Sequence, residues 1–366
     1  MTSRRRALQA TAVLAAGTAV GWVWSQHDAS RAHEAAVAEV WRGPGNPTER
    51  AAILREIVRL ATLAPSSHNT QCWKFRLDSD AIVLAPDFTR RCPAVDPDNH
   101  HLYVSLGCAT ENLVHAARGF GLHADPAYDA GADVIRIALS AAPNRRTPLF
   151  EAIAARQSTR AEYDGQALPA TELAELERAA ASSGVDTLLI TERERIETVL
   201  ESVIAGNTAQ IRDPAFVAEL RAWIRFNGRT AAASGDGLYA GSSGNPALPA
   251  WLGKVMFGMV FTADSENARY ERQLRSSAGV AVFVAREENK AGWIEVGRAF
   301  ERFALQATAL GIRSAHINQP VEVPSVRAEF AAWLGLSGRR PDLVIRFGHG
   351  PTLPHSLRRP LDHVLA

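Results

Sequence analysis

Two helical segments 190 positions apart share one pattern, and that repeat restricts the chain to folds built from two like halves. GCATENLVHAARGFGL begins at Gly107 and GRAFERFALQATALGI at Gly297; the matching positions are Gly107/Gly297, Glu111/Glu301, Ala117/Ala307 and Gly121/Gly311. Ahead of each copy lies a further parallel, since Leu54 to Leu77 and Leu173 to Thr191 both read as a helix followed by a strand. At 366 residues, 46% of them hydrophobic, the chain is long enough for two lobes that each bury a core.

The elements fall into place around the repeat. Ile53, Leu54, Ile57, Val58, Leu60 and Ala61 recur at helical spacing until Pro65 stops the helix, and Trp73, Phe75 and Leu77 then alternate with Lys74 and Arg76 as in a half-buried strand. A helix is expected over 102–118 and a strand over 134–139. In the second half, helices are expected near 171–181 and 293–310, and strands at 187–191, 280–285 and 343–347. The fold class is therefore α+β, with antiparallel or mixed sheets flanked by helices. Residues 50–142 form a first lobe and 143–366 a second, with a connector over 27–49 and an insertion at about 207–277, rich in Gly, Ser and Asn, that reads as a lid.

Residues 1–26 read as an export signal or signal anchor, because Arg4-Arg5-Arg6 precedes an uncharged run from Ala7 to Gln26. The stretch SRRRALQ resembles a twin-arginine signal, which implies export of an already folded protein to the periplasm or the outer face of the cytoplasmic membrane. A net charge of +1 gives no global field for nucleic acid. Cys72, Cys92 and Cys108 are wrongly spaced for a zinc cluster, a thioredoxin pair or a disulfide framework. Adjacent His100 and His101 rarely converge on one ion, so no metal site is expected. Neither a Gly-x-Gly-x-x-Gly after a strand nor a P-loop lysine motif occurs.

Two segments carry concentrated polar chemistry. LAPSSHNTQCWKF, from Leu63 to Phe75, places Pro65, Ser66, Ser67, Asn69 and Gln71 between a helix and a strand; on these residues alone it serves equally as a capped turn or a binding loop. Arg156-Gln157-Ser158-Thr159-Arg160 sets a hydroxyl between two guanidinium forks, which suits an anion but also a solvated basic turn.

Together these segments resemble the nitroreductase superfamily, whose flavin loop has Ala-Pro-Ser, Asn, Gln and Trp in the same order; here Cys72 stands where that family has Pro. The resemblance implies an FMN cofactor, with Arg156 and Ser158 at the ribityl phosphate and Arg160 at the pyrimidine edge of the ring, where its charge tunes the redox potential. It also implies that Arg358 and Arg359 return to the phosphate and that His316, Ile317 and Asn318 lie near the ring nitrogen that accepts hydride. The first half keeps the Ser-Ser-His-Asn loop without the Arg run; the second keeps the Arg run but has only Ala-Ala-Ser-Ser-Gly at 180–184. Such complementary loss resembles the Acg-type branch, one chain folded as a pseudo-dimer of two nitroreductase-like lobes, and implies a monomer with one FMN. The expected activity passes electrons through FMN to a small-molecule acceptor, nitro, quinone or similar, from a membrane quinol or a reduced protein. No side chain is expected to act as a catalytic nucleophile. The alternative is a non-catalytic, FMN-sequestering protein with its lid closed.

Overall fold

A computed structural model describes residues 28–336 and 338–366; the export signal read over 1–26 lies outside the described residues. The first half comprises helix α1 (28–40), α2 (Arg50–Ala61), strands β1 (Trp73–Leu77) and β2 (Ala81–Pro86), α3 (His100–Gly119), β3 (Leu122–Asp129) and β4 (Val134–Ala141). Then come α4 (Pro148–Ala152), α5 (Ala170–Ala180), β5 (Val185–Ile190), α6 (Arg193–Arg212), α7 (Pro214–Trp223), β6 (Ile224–Arg225), α8 (Gly228–Ser234), β7 (Leu238–Tyr239), α9 (Ala250–Val260) and α10 (Ala263–Arg275). The chain continues through β8 (Gly279–Ala285), α11 (Lys290–Ala309), β9 (Arg313–His316), α12 (Gln319–Glu322), α13 (Pro324–Trp333) and β10 (Leu343–Gly348).

Two four-stranded antiparallel sheets result, ordered β1-β2-β4-β3 and β5-β8-β10-β9. In order of appearance within its own half, each sheet runs first, second, fourth, third, and the long helix (α3 or α11) joins the second strand to the third. The repeat in the sequence is thus a repeat of topology. Its centre is the crossing of α3 and α11, where a Cβ added to Gly107 would sit 2.0 Å from Ile294 O and one added to Gly297 would sit 2.0 Å from Val104 O. Residues 104 and 294 are also 190 apart, so the two contacts are related by an approximate two-fold axis. Glycine at both positions lets the helix backbones touch.

The sheets differ in their surroundings. Strand β4 alternates buried and exposed positions, leaving one face of the first sheet in water. Every residue of β8 is buried: Ala281, Phe283 and Ala285 join the central core around α3 and α11, while Val280, Val282 and Val284 join a second core with Ile196, Val199, Leu200 and Val203 of α6. That second core is built by the insertion, which runs between β5 and β8, whereas only residues 78–80 separate β1 from β2.

Two expectations change. The insertion is mostly helical and starts before 207, because α6 runs on from Arg193 to Arg212 with its buried face passing from Ile196, Val199, Leu200 and Val203 to Asn207 and Gln210. The connector over 27–49 contains α1, and Trp41 Nε1 behind it donates to Ser356 O (2.8 Å), so this stretch is docked. Strand β3 was hidden by Pro126, which is accommodated because β3 is an edge strand. The chain after β10 crosses to the first lobe, where Phe75 N donates to Val364 O (2.8 Å) and Ala366 N donates to Phe75 O (2.8 Å), extending that sheet past β1.

Candidate functional site

Helix α2 ends against a loop that three non-glycine residues traverse with left-handed backbone: His68 (φ 47°), Asn69 (φ 54°) and Gln71 (φ 54°). Such angles persist only where surroundings impose them. Asn69 Nδ2 donates to Gly237 O (2.9 Å) and Leu357 O (3.0 Å), Gln71 Nε2 donates to Gly235 O (2.8 Å), and Gln71 N donates to Ser66 Oγ (2.9 Å). The loop is thereby stitched to the insertion and to the chain after β10. Cys72 is buried with its thiol toward Leu102 O, and burial pushes that thiol up to about 12. Side-chain hydrogen bonds, rather than a proline, fix this turn.

Arg358 spends its N–H groups on that loop and on its own chain neighbour. Its Nε donates to Thr62 O (2.8 Å), Nη2 to Leu63 O (2.8 Å) and Ala64 O (3.0 Å), and Nη1 to Asn69 Oδ1 (3.0 Å) and Leu357 O (3.0 Å). A guanidinium has five donors, so none remains for a phosphate. Arg358 caps the carboxyl end of α2, where carbonyls lack helical partners.

Arg156 supports the loop from the other side. It is 3% exposed, forms an ion pair from Nε to Glu301 Oε1 (3.1 Å) and donates from Nη2 to Leu63 O (2.8 Å). Asn112, with its amide oriented to satisfy both neighbours, donates to Glu301 Oε1 (2.9 Å) and accepts from Ala64 N (3.2 Å). Burial pushes the Glu301 carboxyl up to about 7, against the pull of Arg156 and Arg358. The repeat partner Glu111 lies at the symmetry-equivalent place, but there Arg298 (3.0 Å) and Arg302 (3.1 Å) reach it from α11. Arg302 also donates to Ala179 O and Ala181 O, closing the short segment after α5. Glu301 is thus paired with Arg156, and Glu111 with two arginines of α11.

Beside Arg156 lies a cleft of about 590 Å³ between the lobes, within the range of small-molecule sites. Pro65, Ser66, Ser67 and Asn69 line it together with Arg156, Ser158 and Arg160. His316 and Asn318 reach it, as does Arg358. The insertion closes the far side with Phe226, Phe257, Arg269 and Tyr270. Gln71, Ile317 and Arg359 stand behind the walls: Gln71 is fully buried and accepts from Arg359 N (2.8 Å), Arg359 Nη2 turns to His363 O (2.7 Å), and Ile317 N donates to Val344 O (2.9 Å).

Among the described residues, the Arg160 side chain has no hydrogen bond or ion pair, although burial and the neighbouring Arg269 depress its pKa. A partly buried, unpaired guanidinium facing a cleft is a standing demand for an acceptor or an anion. Ser242 Oγ and Gln319 Oε1, also on the wall, are buried without hydrogen-bond partners. Burial, then Arg160 and Arg156, pushes the His316 imidazole down to about 3, so it is neutral.

Sequence reasoning missed several of these groups. Arg346 is fully buried on β10, stacks 4.0 Å from the Tyr163 ring centre and donates to Thr159 O (3.1 Å) and Ala161 O (2.6 Å), which sets the course of the Arg156–Arg160 run. His100 Nε2 lies 2.7 Å from Asp342 Oδ1, an inter-lobe strut. His68, Cys92 and Glu219 bring three metal-type ligand atoms within 4.8 Å of one another, but Glu219 accepts from Ala94 N and Val95 N, and burial raises the Cys92 thiol well above its usual range.

No family model matches the chain. Among curated proteins it is 25% identical over 326 residues to "Putative NAD(P)H nitroreductase Rv3131" of Mycobacterium tuberculosis, covering 85% of this chain and 90% of that protein. It is 23% identical over 331 residues to "Putative NAD(P)H nitroreductase acg" of the same organism, covering 85% and 95%. Among solved structures, the FMN-dependent nitroreductase NfnB of Mycobacterium smegmatis in complex with NADPH matches 59% of this chain and 96% of its own at 14% identity and a TM-score of 0.38. A Bacteroides fragilis nitroreductase with bound FMN matches 56% and 89% at 20% identity and a TM-score of 0.35. Along 85% of its length, on a doubled sheet-and-helix plan, the chain is thus similar to curated nitroreductases that include acg.

Proposed function

We propose that this chain binds one FMN in the inter-lobe cleft and is an oxidoreductase of nitroreductase type. The observation that carries the reading is the cleft itself, which loop 65–69 lines together with Arg156, Ser158 and an unpaired Arg160, while the repeat-equivalent glutamate Glu111 is paired with Arg298 and Arg302. Arg156 has Nε and Nη2 engaged, leaving Nη1 uncommitted among the described residues, and with Ser158 it supplies donors for the phosphate. Arg160 supplies fixed charge at the electron-rich edge of the ring, and Ser66, Ser67 and Asn69 border the same space. Neutral His316 offers a hydrogen bond without adding charge. Bound FMN supplies the electron-carrying chemistry; the protein holds it, orients it and sets its surroundings. The acceptor is a small nitro compound, quinone or similar molecule, and the donor a membrane quinol or reduced protein.

Aromatic cover from Phe226, Phe257 and Tyr270 also favours a second reading, in which the insertion retains FMN and excludes substrates. Purified protein should be yellow and contain one FMN per chain. A ratio near two, or no binding on reconstitution, overturns the proposal. Stopped-flow reduction and reoxidation separate the two readings: turnover with a donor and an acceptor supports the enzyme, and a bound flavin inert to all of them supports sequestration.

A further inference from the structure

Helix α9 inverts the rule for a surface helix. Its solvent side, at the spacing of one helical face, reads Trp251, Lys254, Val255, Gly258 and Met259, all exposed. Trp251 is 70% and Met259 68% exposed, and with Val255 and Val260 they are four of the five exposed large hydrophobic residues among those described. The other side, including Gly253, Met256 and Phe257, covers the cleft. A surface helix normally turns charge to water. This one turns an apolar stripe with a single lysine.

We infer that α9 is an interfacial helix that seats the cleft side of the protein on a lipid bilayer. At 11 residues, about 16 Å long, it is too short to span one, and no helix among the described residues is long and apolar enough to do so. It has the makings of a helix lying in the interface: a bulky apolar face with Trp at one end, and a Lys whose stem can carry its charge to the headgroups. The route of the chain indicates the same side. The described residues begin at Asp28, which pairs with Arg229, and a Cβ on Gly228 would sit 2.3 Å from Ala29 O. Two residues away, Phe226 packs on Gly253 of α9, and Asn227 Nδ2 donates to Leu248 O. Asp28, the first described residue after the uncharged run Ala7 to Gln26, thus lies on the side of the fold that carries α9, and the composition of that run suits the same lipid. Docking needs no flavin. Where the function proposed above also holds, docking brings the cleft to the phase that dissolves a quinol.

The test is local, so that the leader cannot mimic the result. All three native cysteines are buried, so Val255→Cys in the full chain gives one reactive thiol for an environment-sensitive fluorophore, with His123→Cys on β3 as the control. On adding phosphatidylethanolamine/phosphatidylglycerol vesicles, the label at 255 should shift to the blue, brighten several-fold and be quenched by acyl-chain nitroxides, while the label at 123 stays unchanged. The triple variant Trp251→Ser, Val255→Ser, Met259→Ser should weaken vesicle association tenfold or more and leave any flavin content unchanged. No vesicle association, or association with an unresponsive label at 255, overturns the inference. So does a label already shielded without lipid: concentration dependence would then identify a second copy, and its absence the chain's own leader, as the cover.

Discussion

Replacing Gly107 with Ala tests the doubled architecture at its tightest point. The new methyl would lie 2.0 Å from Ile294 O, whereas carbon and oxygen rest comfortably at about 3.3 Å, so α3 and α11 must separate by roughly 1 Å. The obstacle is helix backbone, which cannot rotate away as a side chain can. Overpacking of this kind costs about 1–3 kcal/mol, and the rigid neighbour argues for the upper end. Gly297→Ala should cost the same, since its methyl meets Val104 O at the same 2.0 Å. The double variant is the sharper experiment. Once one methyl has parted the helices, the second enters a gap already opened, so the pair should lose about 4 kcal/mol where strict addition gives about 6. Urea unfolding of the four proteins, followed by tryptophan fluorescence, measures both quantities. Single losses below about 1 kcal/mol, or strict additivity, would refute the shared crossing.

Arg160→Ala should weaken FMN binding at least tenfold in a fluorescence titration while leaving apoprotein stability unchanged; equal affinity would remove Arg160 from the site. Arg358→Ala strands carbonyls at the end of α2 and should cost more than about 3 kcal/mol, with flavin lost as the loop slackens; a stable variant with normal flavin content would contradict the capping role. Burial opposes ionisation of Glu56, but hydrogen bonds from Arg59, Arg42 and Gly45 N overcome it and hold its pKa at about 2. Its contribution to stability is present above the ordinary value of 4.5 and disappears as pH falls toward 2, so Glu56→Gln should flatten the stability profile across that window. An unchanged slope would show that the cluster does not stabilise the fold.

What was legible from sequence was whatever depends on local pattern. The alternation of Trp73, Phe75 and Leu77, the apolar run of β8 and the paired glycines of α3 and α11 announce their elements because one buried face imposes a period. The concentration of polar residues at 65–69 and 156–160 was equally visible, and the fold brings both to one cleft. What was hidden is how each donor is spent. Arg358 and Arg160 look alike in the sequence, yet one has its guanidinium wrapped in carbonyls and the other has none, a difference set by the distant end of α2. Arg346 reads as an ordinary strand residue until its even position on β10 is seen to face Thr159 and Ala161. The insertion misleads by composition: the Gly and Ser of 235–244 fall between α8 and α9, while Phe257 and Tyr270 of the aromatic cover lie on α9 and α10.

The crossing of the chain after β10 to Phe75 makes the molecule an interlocked assembly. A ribosome must pass through the whole second half before the outer margin of the first sheet can close, so the first lobe waits, with the outer edge of β1 unpaired, for residues made long afterwards. Cutting the gene at the boundary between lobes would not yield two working halves, because each would be missing a part that the other carries.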